Sequence, residues 1–365
     1  MEPKKPPTGL WSIRLNRRQV LKGLGKGLGL FGSALALGGP LDVARAISPT
    51  VSSSDGGQRG SQVVTGVVPR RPFGQTGVEV SALCFGGAHW GRMSDDAEAI
   101  HILHEAIDAG VTFLDNAWEY NGGRSEELMG KAIQGRRQQV FLMTKVCTHG
   151  RDKKAAMEQL EQSLRRLRTD YLDLWQIHEV IYEDDPDRHF ATGGAAEALL
   201  EAKKQGKVRF VGFTGHKHPA IHLKMLARDF PFDSCQMPLN VFDGTYRSFE
   251  REVLPEANRQ GIAALGMKTF SGNAEPIKQG IITPEEALRY VLSLPVATVV
   301  SGIDSRAVLR QNLDIVRRFA PMPAQDMATL RTRVAAYAAD GRFELFKSSR
   351  AYDGRIGREQ HGLSF

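Results

Sequence analysis

Short apolar runs alternate with longer amphipathic segments along most of the chain, starting near residue 82. The short runs predict eight strands, at residues 82–86, 112–115, 140–145, 171–178, 208–214, 234–240, 262–268 and 297–302. The longer segments repeat apolar residues at helical spacing and predict eight helices, at residues 95–108, 125–133, 152–167, 195–205, 219–228, 249–259, 284–293 and 305–319. A regular strand–helix alternation indicates an α/β protein with a parallel sheet.

The third of these helices shows the spacing most clearly. Leu160, Leu164 and Leu167 recur at i, i+4 and i+7, and polar residues fill the other faces. In the seventh helix, Pro284 is followed by two glutamates. That order suits a helix start, because proline fixes φ in the first turn and acidic residues favour the positive end of the helix dipole.

Eight strand–helix units within about 240 residues are the number and length of a (β/α)8 TIM barrel. A doubly wound open sheet is the alternative, but no G-x-G-x-x-G follows the first predicted strand. Residues 69–80 contain F-G-Q-T-G-V and predict a hairpin that closes the bottom of the barrel. We therefore predict a barrel over residues 69–320 with an N-terminal hairpin. The C-terminal extension, residues 321–365, is predicted to contain a helix at 326–338 and a polar tail.

The positive charge of the chain is concentrated at its N-terminus. The 365 residues carry a formal net charge of +7, and residues 1–46 hold eight Lys and Arg against two acidic residues. The remainder is nearly neutral, so nothing in it indicates a nucleic-acid surface. The cysteines, Cys84, Cys147 and Cys235, form no C-x-x-C motif. They favour buried apolar positions, and we predict neither a disulfide framework nor a metal site.

The N-terminus has the three parts of an export signal in the correct order. The segment N-R-R-Q-V-L-K at residues 16–22 precedes a weakly apolar run at 23–40 and a small-x-small site, A-R-A, at 44–46. The first segment resembles the twin-arginine (Tat) pattern R-R-x-F-L-K, with Val20 in place of the Phe. A tail with a chance Arg-Arg pair is the alternative.

The resemblance implies a Tat signal peptide over residues 1–46, with the Tat export machinery as a partner and a periplasmic location. The apolar run contains seven glycines and Lys26. It is therefore too weakly hydrophobic to form a comfortable membrane span, and we expect no stable span in the mature form. Residues 47–68 are rich in Ser, Gly and Thr and predict a flexible linker.

Four polar residues collect at the ends of predicted strands. Asp115, Lys145 and His178 end the second, third and fourth strands, and Tyr120 follows Asp115 by five residues. Chemistry in a TIM barrel is located at these ends, so we expect the four side chains to converge. A tyrosine can protonate a carbonyl oxygen that receives hydride, and a nearby ammonium favours the phenolate. An aspartate can hold the ammonium and a histidine can orient the oxygen, although each residue alone also has an ordinary structural explanation.

The chain resembles the aldo-keto reductase superfamily from about residue 71 to residue 319. The resemblance rests on D-N-A-W-E-Y at 115–120, F-L-M-T-K at 141–145 and L-W-Q-I-H at 174–178, and it extends to G-R-S-E-E at 123–127, V-G-F-T at 211–214, residues 236–240 and Gln311-Asn312. It implies that Asp115, Tyr120, Lys145 and His178 form a catalytic tetrad that reduces an aldehyde or ketone.

The resemblance also implies a nicotinamide cofactor, NADP(H) by family default, with NAD(H) as the alternative. Thr214 and Gln236 are expected at the carboxamide. The remaining expected cofactor contacts are Lys268, Gly302, Ser305, Gln311 and Asn312.

The chain departs from the family pattern at three places. Gly215 stands where the family has an Asn, G-M-K at 266–268 replaces a stacking aromatic residue, and Val308 replaces the basic residue that grips the 2′-phosphate. Arg306 and Arg310 lie on the same predicted helix and are candidates to replace that basic residue. The departures predict weaker discrimination between NADP(H) and NAD(H).

We therefore expect an exported NAD(P)H-dependent aldo-keto reductase that acts on a small-molecule carbonyl compound. The rival is a cofactor-binding regulatory or redox-sensor subunit with incidental turnover, as in the channel-associated branch of the superfamily. The sequence does not identify the substrate, because the pocket walls of this fold come from variable loops.

Overall fold

A computed structural model provides the structure of the chain and describes residues 66–146 and 152–363. All of these residues belong to one compact unit, Ser61–Phe365. The predicted signal peptide, all but the last three residues of the predicted linker, and Cys147 lie outside the described residues.

Eight parallel strands close into a barrel, which confirms the predicted fold. A two-stranded antiparallel hairpin, β1 (Arg70–Pro72) and β2 (Glu79–Ser81), precedes it. The barrel strands are β3 (Leu83–Gly86), β4 (Phe113–Asp115), β5 (Phe141–Val146), β6 (Leu172–Ile177), β7 (Val208–Thr214), β8 (Ser234–Pro238), β9 (Ala263–Met267) and β10 (Thr298–Gly302). Each strand pairs with the next along the chain, and β10 pairs with β3.

Helices follow the strands around the barrel. Within the described residues they are α1 (Gly87–Trp90), α2 (Asp96–Asp108), α3 (Arg124–Ala132), α4 (Lys153–Leu167), α5 (Asp185–His189), α6 (Ala195–Lys204), α7 (Pro219–Leu226), α8 (Phe249–Arg259), α9 (Glu275–Lys278), α10 (Pro284–Ser293), α11 (Arg306–Arg317), α12 (Ala324–Ala338), α13 (Leu345–Ser348) and α14 (Arg355–Gln360). No helix in this part of the chain is long and apolar enough to cross a membrane.

The eight predicted barrel helices are present, with ends that differ by at most two residues. The start of α10 shows how local sequence sets such an end. The Thr283 hydroxyl accepts a hydrogen bond from the Glu286 backbone, and the Glu286 carboxylate accepts one from the Thr283 backbone. This reciprocal cap satisfies two amide groups that a helix start leaves without partners, and Pro284 occupies the first turn.

The hairpin closes the end of the barrel where the strands begin. Phe73, between β1 and β2, is fully buried, and its ring contacts Phe113, Phe141 and Phe210 at centroid distances of 5.0–6.1 Å. The Gln75 amide donates a hydrogen bond of 3.0 Å to the carbonyl of Gly261, just before β9. The opposite end, where the strands finish, is therefore the open face.

The C-terminal segment, residues 341–363, is fixed to the barrel by buried charges. Lys347 donates to Asp243 at 2.6 Å and lies 2.8 Å from Glu344, and all three side chains are fully buried. Asp243 also accepts a bond of 2.7 Å from the Glu250 amide at the start of α8. A buried carboxylate or ammonium is tolerated only when it is paired, so this cluster determines where the segment docks.

Candidate active site

The four residues predicted to act together lie at the open face. Asp115 is the last residue of β4, Lys145 is the penultimate residue of β5, and His178 directly follows β6. Tyr120 lies in a 3-10 turn after β4. Neighbouring strands are in register here, since Asp115 pairs with Met143 and Lys145 pairs with Gln176. The barrel therefore brings all four side chains together, as the sequence predicts.

Lys145 and Asp115 form a buried ion pair. The ammonium donates to the Asp115 carboxylate and, at 2.7 Å, to the carbonyl of Asn116. Both side chains are at most 4% exposed. Desolvation raises the pKa of Asp115, and the charge of Lys145 opposes that rise. The two contacts hold the ammonium in one place at the end of β5.

The ammonium of Lys145 lies beside the phenol of Tyr120. Its Nζ is 3.5 Å from the tyrosine hydroxyl oxygen and 4.9 Å from the ring centroid. The Tyr120 side chain is half-buried, and its ring contacts His178 edge-on at a centroid distance of 5.6 Å. An adjacent ammonium stabilises a phenolate, so this geometry eases loss of the phenolic proton.

Glu119, directly before Tyr120, is part of the same cluster. Its Oε1 lies 2.5 Å from Nδ1 of His178. Burial raises the pKa of this carboxyl, but the charge and hydrogen bond of His178 outweigh burial and lower the pKa below its ordinary value. The signal in the sequence is the acidic residue directly before Tyr120 in D-N-A-W-E-Y.

Thr214 and Gln236 are neighbours at the ends of β7 and β8. They are paired in register and are almost completely buried. Nε2 of Gln236 contacts the sulfur of Met267 at 3.6 Å, while its Oε1 has no hydrogen-bond partner within the described residues. A buried oxygen without a partner fits an amide-bearing ligand such as a nicotinamide.

Gly215 has a structural reason for departing from the family pattern. A Cβ atom at this position would lie 2.2 Å from the carbonyl oxygen of Val180 and 2.7 Å from the ring of His222. The loop after β6 therefore packs directly against the Gly215 backbone. Asparagine cannot occupy this position without moving that loop.

Lys268 contacts the C-terminal segment. Strand β9 ends at Met267, one residue before the predicted boundary. Lys268 has a φ of 57° and therefore leaves the extended conformation. Its Nζ lies 5.4 Å from the ring centroid of Phe346 and 5.3 Å from that of Tyr352. Burial lowers the pKa of Lys268 to about 8. The aromatic rings that cover this lysine come from the extension and not from β9.

Two hydroxyl groups near Lys268 have no distinguishing pattern in the sequence. Thr269 Oγ1 and Ser271 Oγ are buried and have no hydrogen-bond partner among the described residues. Ser271 also lines a cavity of about 340 Å³ together with Tyr337 and Phe343 of the extension. These hydroxyls are further candidate ligand contacts, and only their burial reveals them.

The residues expected at the adenosine phosphate lie at the end of β10 and the start of α11. Gly302 lies against the His89 ring, and a Cβ there would be 2.5 Å from its Nδ1. Ser305 caps α11 by accepting from the Val308 amide at 3.3 Å. Asn312 is buried and donates to Ser301 at 2.9 Å. Oδ1 of Asn312 has no hydrogen-bond partner within the described residues. The neighbouring Gln311 is exposed.

The two arginines of α11 are already paired. Arg306 contacts both carboxylate oxygens of Glu98, at 2.7 and 2.5 Å, and Arg310 contacts those of Glu105, at 2.8 and 3.4 Å. Both pairs join α11 to α2 at the surface. Exposed pairs of this kind contribute about 0–1 kcal/mol, so either arginine can leave its partner at little cost.

Comparison with known proteins shows which family this chain resembles. Residues 82–275 match the model of the Aldo/keto reductase family. The chain is 33% identical over 205 residues to the aldo-keto reductase YhdN of Bacillus subtilis (strain 168), a match that covers 52% of this chain and 58% of that relative. It is 28% identical over 286 residues to the uncharacterized oxidoreductase YqkF of the same organism, covering 67% of this chain and 90% of that one.

A solved structure is similar in fold. The aldo-keto reductase AKR11C1 from Bacillus halodurans, in its holo form, superposes with a TM-score of 0.62 at 26% sequence identity. The superposition covers 73% of this chain and 96% of that chain. The similarity therefore includes almost the whole of the solved protein.

Proposed function

Because this chain belongs to the aldo/keto reductase family, we propose that it reduces an aldehyde or ketone to an alcohol by hydride transfer, with Tyr120 as the proton donor. The observation that carries the proposal is the contact between Lys145 and the Tyr120 hydroxyl, with Asp115 behind the lysine. The family as a whole uses nicotinamide cofactors.

In the proposed mechanism, each residue of the tetrad has one task. When bound, a reduced nicotinamide supplies the hydride that the carbonyl carbon receives. Tyr120 donates its phenolic proton to the carbonyl oxygen, and Lys145 stabilises the phenolate that remains. Asp115 fixes the ammonium of Lys145. His178 lies beside the Tyr120 ring and orients the substrate oxygen.

Glu119 is a positioning residue in this mechanism. It contacts His178 through Nδ1. Contact at one ring nitrogen fixes the orientation of the imidazole, so Nε2 is the nitrogen left to serve the substrate oxygen.

We propose that the cofactor is held by the residues at the ends of β7, β8 and β10. The buried oxygens of Gln236 and Asn312, which have no partners in the described part of the chain, support this assignment. Thr214 and Gln236 would hold the carboxamide. The group assigned to the adenosine phosphate consists of Gly302, Ser305, Gln311 and Asn312, with Lys268 nearer the substrate end.

We propose NADP(H) as the preferred cofactor, with NAD(H) accepted. Val308 supplies no cation for a 2′-phosphate, and Arg306 and Arg310 must first separate from Glu98 and Glu105. A preference that depends on breaking an exposed ion pair is weaker than one built on an unpaired cation.

We also propose export through the Tat pathway to the periplasm. The basis is the sequence of residues 1–46, with Arg17-Arg18, the weakly apolar run and the A-R-A site in order. The Tat route carries folded proteins, which suits an enzyme whose cofactor must be bound before export.

A single-turnover experiment tests the proposed activity. The full chain is loaded with one equivalent of NADPH and mixed with each member of a panel of aldehydes and ketones, and cofactor fluorescence is followed. A reductase oxidises the bound cofactor completely with at least one member. Retention of reduced cofactor with every member would favour the rival, a cofactor-binding regulatory or redox-sensor subunit.

A further inference from the structure

Three side chains of types that can ligate a metal meet where the C-terminal helix α14 packs on the loop after β6. Asp184 and Asp185 lie at the start of α5, and His361 follows α14. One ligand atom from each, an oxygen from each carboxylate and one imidazole nitrogen, lies within 4.8 Å of the other two. None of these residues belongs to the proposed tetrad or to the proposed cofactor contacts.

The His361 ring is held so that one nitrogen is directed at the carboxylates. Its Nδ1 lies 2.8 Å from the carbonyl oxygen of Gly357, and since a carbonyl only accepts, Nδ1 carries the proton and donates. The ring lies against that of Tyr182 at a centroid distance of 3.6 Å, with an angle of 34° between the ring planes. Metal-binding histidines are commonly oriented by this kind of bond, in which the second ring nitrogen donates to a backbone carbonyl.

Both carboxylates are fixed through their other oxygen. Asp185 is fully buried, and its Oδ2 accepts from the amides of Ile181, at 3.0 Å, and Tyr182, at 2.8 Å. Oδ2 of Asp184 accepts from Nε of Arg188 at 2.5 Å. In each case Oδ1 is the oxygen that faces His361.

The two separations from the imidazole nitrogen match those between ligands around a shared ion. Nε2 of His361 lies 3.4 Å from Oδ1 of Asp184 and 3.4 Å from Oδ1 of Asp185. A direct charge-assisted N–H···O bond would close to about 2.7–2.9 Å. Tetrahedral ligands with bonds of about 2.0–2.2 Å lie about 3.3–3.6 Å apart, because their separation is about 1.63 bond lengths.

We propose that Asp184, Asp185 and His361 bind a divalent transition-metal ion, best fitted by Zn²⁺. One imidazole and two carboxylates form a nitrogen and oxygen set that suits zinc, and water can complete a four-coordinate site. The ion would join α14 to the loop that begins at His178. Its role would be to fix the C-terminal segment next to the open face of the barrel.

The test uses the full chain without a polyhistidine tag, stripped with a chelator and titrated calorimetrically with ZnCl₂. We expect one equivalent to bind. His361→Ala and Asp184→Asn should each weaken binding at least about 100-fold. Matched controls are His101→Ala and Asp187→Asn, because both residues are exposed and lie outside the cluster. Both controls should bind zinc as the unaltered chain does.

Two further readouts separate an ion site from a structural ion pair. Co²⁺ bound to the stripped chain should give the strong visible absorption of tetrahedral cobalt, and His361→Ala should remove it. Zn²⁺ should slow proteolysis within the C-terminal segment of the unaltered chain but not of Asp184→Asn. The proposal is overturned if the unaltered chain binds no zinc, which would leave only the direct contacts between the imidazole and the two carboxylates, or if zinc binding survives in His361→Ala.

Discussion

Oε1 of Glu119 lies 2.5 Å from Nδ1 of His178, and the His178 ring lies against that of Tyr120. The ion pair thus sits one residue away from the proposed proton donor. It connects the turn after β4 with the end of β6 and fixes the imidazole at the position where a substrate oxygen would be bound.

Replacing Glu119 with Gln should destabilise the fold in a pH-dependent way. The pKa of Glu119 is lower in the folded chain than its ordinary value of 4.5, so the ionised carboxylate stabilises the fold above about pH 4.5. That stabilisation is lost as the pH falls through the lowered pKa. Removing one partner of a buried polar contact costs about 1–3 kcal/mol, and we expect a loss of this order at pH 7.

Urea unfolding of both proteins between pH 7 and pH 4 measures the effect. The stability difference between the unaltered chain and Glu119→Gln should narrow toward the acidic end of the range. Glu127→Gln, at an exposed position, is the matched control and should change stability by no more than about 0.5 kcal/mol. A difference in unfolding free energy that is the same at every pH would contradict the role given to this ion pair.

Replacing Gly215 with Asn, the residue that the family has at this position, should destabilise the fold. The new Cβ would lie 2.2 Å from the Val180 carbonyl oxygen, so the loop after β6 must move. Overpacking of this kind costs about 1–3 kcal/mol, and thermal unfolding should report it. Gly244→Ala is the control, because its nearest contact would be an ordinary 3.4 Å. A stable Gly215→Asn variant that binds NADPH more tightly would show that the packing reason is wrong.

The cofactor preference should respond to the ion pairs of α11. The unaltered chain should favour NADPH over NADH by less than about 100-fold, or 2.7 kcal/mol. Glu98→Gln releases Arg306 and should raise that preference several-fold in fluorescence titrations. The control is Glu79→Gln, which breaks an exposed pair with Arg70 on the hairpin. This change should leave the preference for NADPH over NADH unchanged. The account would be contradicted if the unaltered chain preferred NADPH by more than about 100-fold. It would also be contradicted if Glu98→Gln left the preference for NADPH unchanged.

The export proposal has its own test. Replacing Arg17 and Arg18 with Lys should leave the protein inside the cell with its activity intact, because the change removes the twin arginines and touches none of the proposed site residues. Cell fractionation followed by an activity assay measures the outcome. Continued export of the double-Lys protein, or a native mature form found only in the cytoplasm, would contradict the Tat assignment.

The sequence predicts the barrel because its signals are local. Strand β7 and helices α8 and α10 have the predicted ends, since each depends on nearby apolar spacing and capping residues. The convergence of Asp115, Lys145 and His178 also follows from local sequence, because parallel strands place their ends on one face. Predicted strand 234–240 ends early at Pro238, and predicted strand 262–268 ends at Met267.

Contacts between distant segments could not be predicted in this way. Lys347 and Asp243 are separated by 104 positions, and neither has a local pattern that identifies the other as its partner. Phe346 and Tyr352 cover Lys268 from the same distant C-terminal segment. The reason for a glycine at position 215 likewise depends on the neighbouring Val180 carbonyl, which only the fold supplies.

The central claim is that Tyr120 donates the proton, and the single-turnover rate of Tyr120→Phe tests it most directly. Phenylalanine keeps the ring against His178 but removes the hydroxyl beside Lys145. With the NADPH-loaded protein and an active carbonyl substrate, the rate should fall by about 10²–10⁴-fold. The affinity for NADPH should stay within about threefold, because the hydroxyl acts mainly in the transition state. A folded Tyr120→Phe protein that oxidises its cofactor at the unaltered rate would contradict the account.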